Sequence, residues 1–219
     1  MRVASPKIVS LVLVVLMLGA CERGVQKLQL DEQDIAANNR GVGLMGYFDY
    51  EGARQVFADL ALKHPDWQDL QVNLAIATLN RQQAGDEKTA LEIVERVLAA
   101  EPEHQRARYV HGLLNLNAGE AEQALASFQM VADADPHDAY AAYYTALTQS
   151  QVGDTEAALA SYQRALNLDP YLRSAYYGAF QALQRLGRRD AAREMLTQFQ
   201  RLADNPQARL AEFKYTRMG

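Results

Sequence analysis

Beyond the first twenty residues, every proline of this 219-residue chain falls on one ladder: Pro65, Pro102, Pro136, Pro170 and Pro206, separated by 37, 34, 34 and 36 residues. Two further columns keep the same step. Gly85, Gly119, Gly153 and Gly187 are each 34 apart, and so are Ala90, Ala124, Ala158 and Ala192. Composition alone produces no such register. A fixed period of this length marks stacked supersecondary units, each unable to bury its apolar face alone. The columns have separate mechanical reasons once a unit is read as two antiparallel helices. Glycine takes the left-handed conformation that closes the first helix, and proline, lacking an amide proton, cannot continue the second. The alanine lies on the second helix, five residues past the glycine, where a larger side chain would push the two helices apart. Four residues further, on the same helical face, stand Val94, Phe128, Tyr162 and Leu196, large enough to fill the layer between units.

Five units follow: 34–65, 68–102, 105–136, 139–170 and 173–206. The first is less regular but keeps Gly41 on its first helix and Ala53 and Phe57 on its second. The second holds three extra residues near Asn80-Arg81-Gln82-Gln83, a bulge expected at the tip of a helix hairpin. The tetrapeptide Asn167-Leu168-Asp169-Pro170 and the run from Ala158 to Leu166 resemble tetratricopeptide sequence almost letter for letter. The resemblance covers about residues 34 to 206. It implies an all-α fold, a right-handed tetratricopeptide solenoid of about five helix pairs. Residues 207–219 are read as a capping helix and tail, with Gln207 to Phe213 helical and Leu210 and Phe213 turned inward, because the last face of a solenoid is otherwise exposed.

The N-terminus has a different character. Arg2 and Lys7 precede an apolar run of 11 residues, Ile8 to Leu18, and then Gly19-Ala20 and the chain's single cysteine, Cys21. This is the layout of a bacterial secretion signal. The run is too short to span a bilayer core, which needs about 20 residues. Leu18-Gly19-Ala20-Cys21 resembles the lipobox of bacterial lipoproteins, and the resemblance implies cleavage of a signal peptide over 1–20, lipidation of Cys21 and a polar linker over 21–33. Glu22, where an aspartate favours inner-membrane retention in such proteins, implies the periplasmic face of the outer membrane.

Charge and motifs then narrow the function. Removing Arg2 and Lys7 with the signal leaves 20 basic against 27 acidic side chains, a net charge of −7. A mildly acidic body without a basic stripe is a poor match for nucleic acid. His64, His104, His111 and His137 show no metal-binding spacing, and capping or solvated roles suit them better. No phosphate-cradling glycine loop, nucleophile elbow or zinc signature is present. The reading is of a non-enzyme with no cofactor and no evident small-molecule substrate.

Surface remains. In tetratricopeptide solenoids the first helices line a concave groove, and by that resemblance one groove-facing column here reads Asn38, Val72, Tyr109, Tyr143 and Tyr177. The next reads Val42, Ile76, Leu113, Leu147 and Gln181. The family members that clamp a terminal carboxylate carry Lys, Asn and Arg there; this chain instead offers apolar and aromatic residues. Tyr109, Tyr143, Tyr177, Leu113 and Leu147, with neighbouring Tyr140 and Tyr144, are the expected peptide-binding set, set against the plainer reading that the tyrosines are half-buried packing residues. Asn39 and Asn73 read as packing amides. The implied function is a membrane-anchored interaction scaffold of the bacterial cell envelope that binds envelope proteins, and small tetratricopeptide lipoproteins of similar layout serve as pilotins or assembly factors. Asn39-Arg40-Gly41, Asn73-Leu74-Ala75-Ile76, Arg201 to Pro206 and Phe213 to Gly219 also resemble the repeat segment of larger FG-GAP propeller-type envelope proteins, which implies the alternative of an interaction arm.

Overall fold

The computed structural model describes residues 28–212 and 215, so the expected signal peptide, Cys21 and the first part of the linker lie outside the described residues. Among the described residues ten helices follow in order: α1 (Glu32–Gly46), α2 (Tyr50–Lys63), α3 (Gln68–Arg81), α4 (Asp86–Ala100), α5 (Gln105–Ala118), α6 (Ala121–Ala134), α7 (Ala139–Val152), α8 (Thr155–Leu168), α9 (Arg173–Arg185) and α10 (Arg189–Arg201). Each packs chiefly on its neighbours in sequence, the pattern of a quasi-one-dimensional stack.

Gly119 and Gly153 close α5 and α7 as expected, whereas Gly85 stands at the start of α4 and α3 is closed by Gln82. Gly85, Gly119, Gly153 and Gly187 have φ of +87°, +83°, +92° and +73°, a left-handed conformation that costs a side chain dearly and a glycine nothing. Ala53, Ala90, Ala124, Ala158 and Ala192 are all buried at the contact between hairpin arms. The large residues one turn on, Phe57, Val94, Phe128 and Tyr162, are buried as well, while Leu196 in α10 is only half-buried because no further hairpin packs on it among the described residues. Small residues on the first helices complete the fit: a Cβ at Gly112 would lie 2.7 Å from Phe128 Cζ, and one at Gly41 or Gly178 would collide with Phe57 or Tyr162.

The first four prolines each follow their helix by two residues, after α2, α4, α6 and α8. Pro206 does not. Helix α10 closes at Arg201, and the chain turns well before the last proline is reached. The three extra residues of the second unit lie at the α3–α4 tip, where Gln82 adopts φ +58°. That tip is pinned electrostatically. Arg81 donates from Nε to Asp86 at 3.0 Å and from Nη1 to Glu51 at 2.6 Å, joining α2, α3 and α4.

The expected capping helix is not there. Residues 207–212 contain no helical turn, and Leu210, expected inward, is 56% exposed. Instead Arg209 pairs its main chain with the α8–α9 loop: Arg209 N–H donates to Tyr171 O at 2.8 Å and Arg209 O accepts from Arg173 N–H at 2.8 Å. The pairing is parallel, between Leu172 and Arg209, and an Arg209–Asp169 ion pair at 3.0 Å reinforces it. The physical reason is an open supply of main-chain donors and acceptors at that loop, which an extended segment satisfies and a helix, bonded internally, would not.

Candidate peptide-binding groove

The first helices form the inner layer of the stack. Helix α1 touches α3, α3 touches α5 and α7 touches α9, while second helices make no comparable contact with one another among the described residues. The layer in which alternate elements come closest is the concave one. Its surface is therefore made by α1, α3, α5, α7 and α9.

The tyrosine column faces less solvent than a free ladder would. Tyr109 is buried, Tyr143 half-buried and Tyr177 43% exposed, so accessibility grows toward the C-terminal end. Each ring packs on the second helix of its own hairpin: Tyr109 on Phe128 at 5.6 Å between centroids, Tyr143 on Tyr162 at 5.9 Å, Tyr177 on Phe199 at 5.3 Å. Across hairpins, Tyr109 meets Tyr144 edge-on at 5.7 Å, and Tyr144 stacks on Phe128 at 4.9 Å. Leu113 is enclosed in the core, and Tyr140 and Leu147 lie half-buried against it. The structure thus joins Tyr109, Tyr143 and Tyr144 in one aromatic cluster and leaves Tyr177 apart, beside Phe180 and α10.

Polar groups complete the inner surface. Asn73 donates to Asn38 Oδ1 at 3.0 Å and accepts from Arg106 Nη2 at 2.7 Å, a ladder that ties α1, α3 and α5 together. Burial raises the Tyr143 phenol above its ordinary value, partly offset by a hydrogen bond with Ser174. The histidines hold structural posts. His64 meets Asp34 at 2.7 Å between α1 and α2; His104 caps α5 through Ala107 N–H; His111, its proton affinity lowered by burial, meets Ser127 Oγ at 2.8 Å. No cluster of His, Cys, Asp or Glu among the described residues is placed to hold a metal.

The groove residues that sequence reasoning missed are those that grip the C-terminal segment. From Arg209 it runs over the first helices in reverse order. Ala211 N–H donates to Ser174 Oγ of α9 at 2.9 Å, and the Tyr144 hydroxyl of α7 donates to Glu212 O. Residues 213 and 214, and with them the expected inward Phe213, lie outside the described residues. At Tyr215 the Asn80 amide of α3 reads the main chain twice, accepting from Tyr215 N–H at 3.1 Å and donating to Tyr215 O at 2.8 Å. The Tyr215 ring, 8% exposed, stands edge-on to Tyr109 at 5.4 Å and joins the core cluster. The signal available was the alternation Glu212-Phe213-Lys214-Tyr215, whose period of two belongs to an extended chain, not a helix.

With this geometry in hand, known proteins supply a frame. A family model described as tetratricopeptide repeat matches residues 79–139 and, overlapping, 109–173. No curated protein matches the sequence. Among solved structures, MamA 41-end from Desulfovibrio magneticus RS-1 is similar with a TM-score of 0.72 at 22% identity, over 81% of this chain and 99% of that one. A MamA RS-1 ArsTM double mutant gives 0.71 at 22% identity, over 80% and 96%. A crystal structure of MamA protein gives 0.67 at 18% identity, over 79% and 93%. Identities this low speak for the fold alone. The class is a tetratricopeptide-type helical solenoid.

Proposed function

We infer that this protein is a lipid-anchored interaction scaffold of the bacterial cell envelope that holds extended segments of partner proteins in the groove of its first helices. The observation that carries the groove reading is the pair of hydrogen bonds between the Asn80 amide and the Tyr215 main chain. A buried side chain that donates to the C=O and accepts from the N–H of the same residue recognises extended polypeptide irrespective of side chain, the mode by which grooves gain affinity from the backbone and specificity from pockets. The anchoring reading rests on Cys21 at the end of a complete signal layout. Several acyl chains on one residue exceed the single chain that binds membranes only marginally, each buried methylene contributing about 0.8 kcal/mol. Among the described residues no helix is long and apolar enough to cross a membrane, so the acyl chains are the means of attachment in this reading.

The experiment has two arms. Cells fed a clickable fatty-acid analogue should label the wild-type protein and not Cys21→Ser, and an unlabelled wild type would defeat the anchor. Affinity capture of a partner by wild type and by Tyr177→Ala tests the groove, since Tyr177 has exposed ring surface to give. Capture should weaken about tenfold, the effect of losing roughly 1.4 kcal/mol. Unchanged capture by a folded variant would remove Tyr177 from the binding surface.

A further inference from the structure

The described stretch that follows α10 behaves like a ligand. It leaves α10, pairs by main chain with the α8–α9 loop at Arg209, and then crosses α9, α7 and α3 with a side-chain hydrogen bond to its backbone at each. All three readers, Ser174, Tyr144 and Asn80, stand on first helices. The segment ends on a tyrosine inserted against Tyr109, where ring, donor and acceptor are all withdrawn from water. A terminal strap whose only task was to cover the last hairpin would stop at α9 and α10; this one travels back to the second hairpin.

We propose that residues 209–212 together with Tyr215 are an intramolecular occupant of the groove, and that the partner with which they compete is an extended polypeptide segment presenting a tyrosine to the Tyr109–Asn80 position. This rests on the groove reading above and adds the occupant's chemistry. Main-chain bonds at Ser174, Tyr144 and Asn80 fix the backbone, while the large side chain sunk into the core cluster among the described residues of the segment is the Tyr215 ring. The same set of contacts is open to any chain of that form. A tethered segment acts at an effective concentration on the order of millimolar, so weak docking suffices to hold the groove against dilute competitors and yields to a partner with more to bind. The Arg209–Asp169 ion pair fixes where the strap begins, and it lies outside the groove readers.

The test uses the mature full-length chain and a fluorescent synthetic peptide with the sequence of residues 206–219 as the probe, followed by polarisation up to millimolar protein. Two variants free the groove by different routes: Tyr215→Ala withdraws the inserted ring, and Arg209→Ala releases the strap while leaving every groove reader in place. Both should bind the probe at least tenfold more tightly than wild type. Adding Asn80→Ala to either should abolish the gain, and a probe with alanine at its Tyr215 position should not bind. Melting followed by circular dichroism verifies that each variant is folded. If wild type and both variants bind the probe equally well, the strap is no competitor although the groove does bind extended chain. If none of them binds it, both the strap inference and the groove reading fall. Equal binding of the alanine probe would overturn the tyrosine preference.

Discussion

At the scale of single residues, volume decides most of what happens along the inner seam of each hairpin. Ala124 has no exposed surface and its neighbours on the column are equally enclosed. Ala124→Arg should therefore cost several kcal/mol, about 3 or more, through overpacking and a buried unpaired charge, and a thermal melt that did not shift would contradict the register. Gly112→Ala is the gentler probe, since its methyl would meet the Phe128 ring at 2.7 Å. The loss expected is about 1–3 kcal/mol. Both positions were legible in the sequence because a repeated column reports the same local constraint several times over. The tyrosines were not fully legible: the column predicts which helix face they occupy, but whether a ring on that face turns to the groove or to its own hairpin partner depends on the size of Phe128, Tyr162 or Phe199 opposite.

Charge acts locally at the α3–α4 tip. Hydrogen bonds from Arg54, Arg81 and Gln55 hold the Glu51 carboxyl down to about 2, and Arg81 also holds Asp86 below its ordinary value. Both carboxyls are depressed in the folded state, so their contribution is complete above the unfolded value near 4.5 and is lost as pH falls toward about 2. Acid melts between pH 5 and 2 should show the loss. Arg81→Ala should lower stability at pH 7 by about 2 kcal/mol, because it strands the buried Asp86 carboxylate, and should flatten that acid-side slope. An unchanged slope would place the acid sensitivity elsewhere.

At the scale of elements, the helices were predictable and the last segment was not. Gly187 follows the end of α9 in the left-handed conformation that Gly119 and Gly153 adopt at the ends of α5 and α7, yet α10 stops at Arg201 and leaves Pro206 in the turn region beyond it. What lies past α10 occurs once, so no repeat register exists against which to read it. Its contacts are mostly main-chain bonds, which leave little mark on residue type; Asn80, their principal reader, stands in the last turn of α3 beside the insertion of the second unit, where no repeated column marks it. The element's weight can be measured. Tyr144→Phe removes only the hydroxyl that donates to Glu212 O, so the melt should fall by about 0.5–1.5 kcal/mol while amide exchange at residues 209–212 quickens. Exchange as slow as in wild type would show that this bond does not hold the strap.

At the scale of the whole molecule, the stack of hairpins makes one continuous inner wall, and in the proposed function this wall, not the outer layer of second helices, meets partner proteins. Helix α4 illustrates the outer layer, with Lys88 and Glu92 largely in solvent. Anchoring at Cys21 would leave that wall free of the membrane on a linker before α1. The most direct measurement places a photo-crosslinking residue at Tyr177 or at Lys88 in the otherwise native protein, irradiates the producing cells and reads adducts by mass. A crosslinked protein partner is expected from position 177 and none from position 88; adducts from position 88 with none from position 177 would rule out the inner wall as the binding surface.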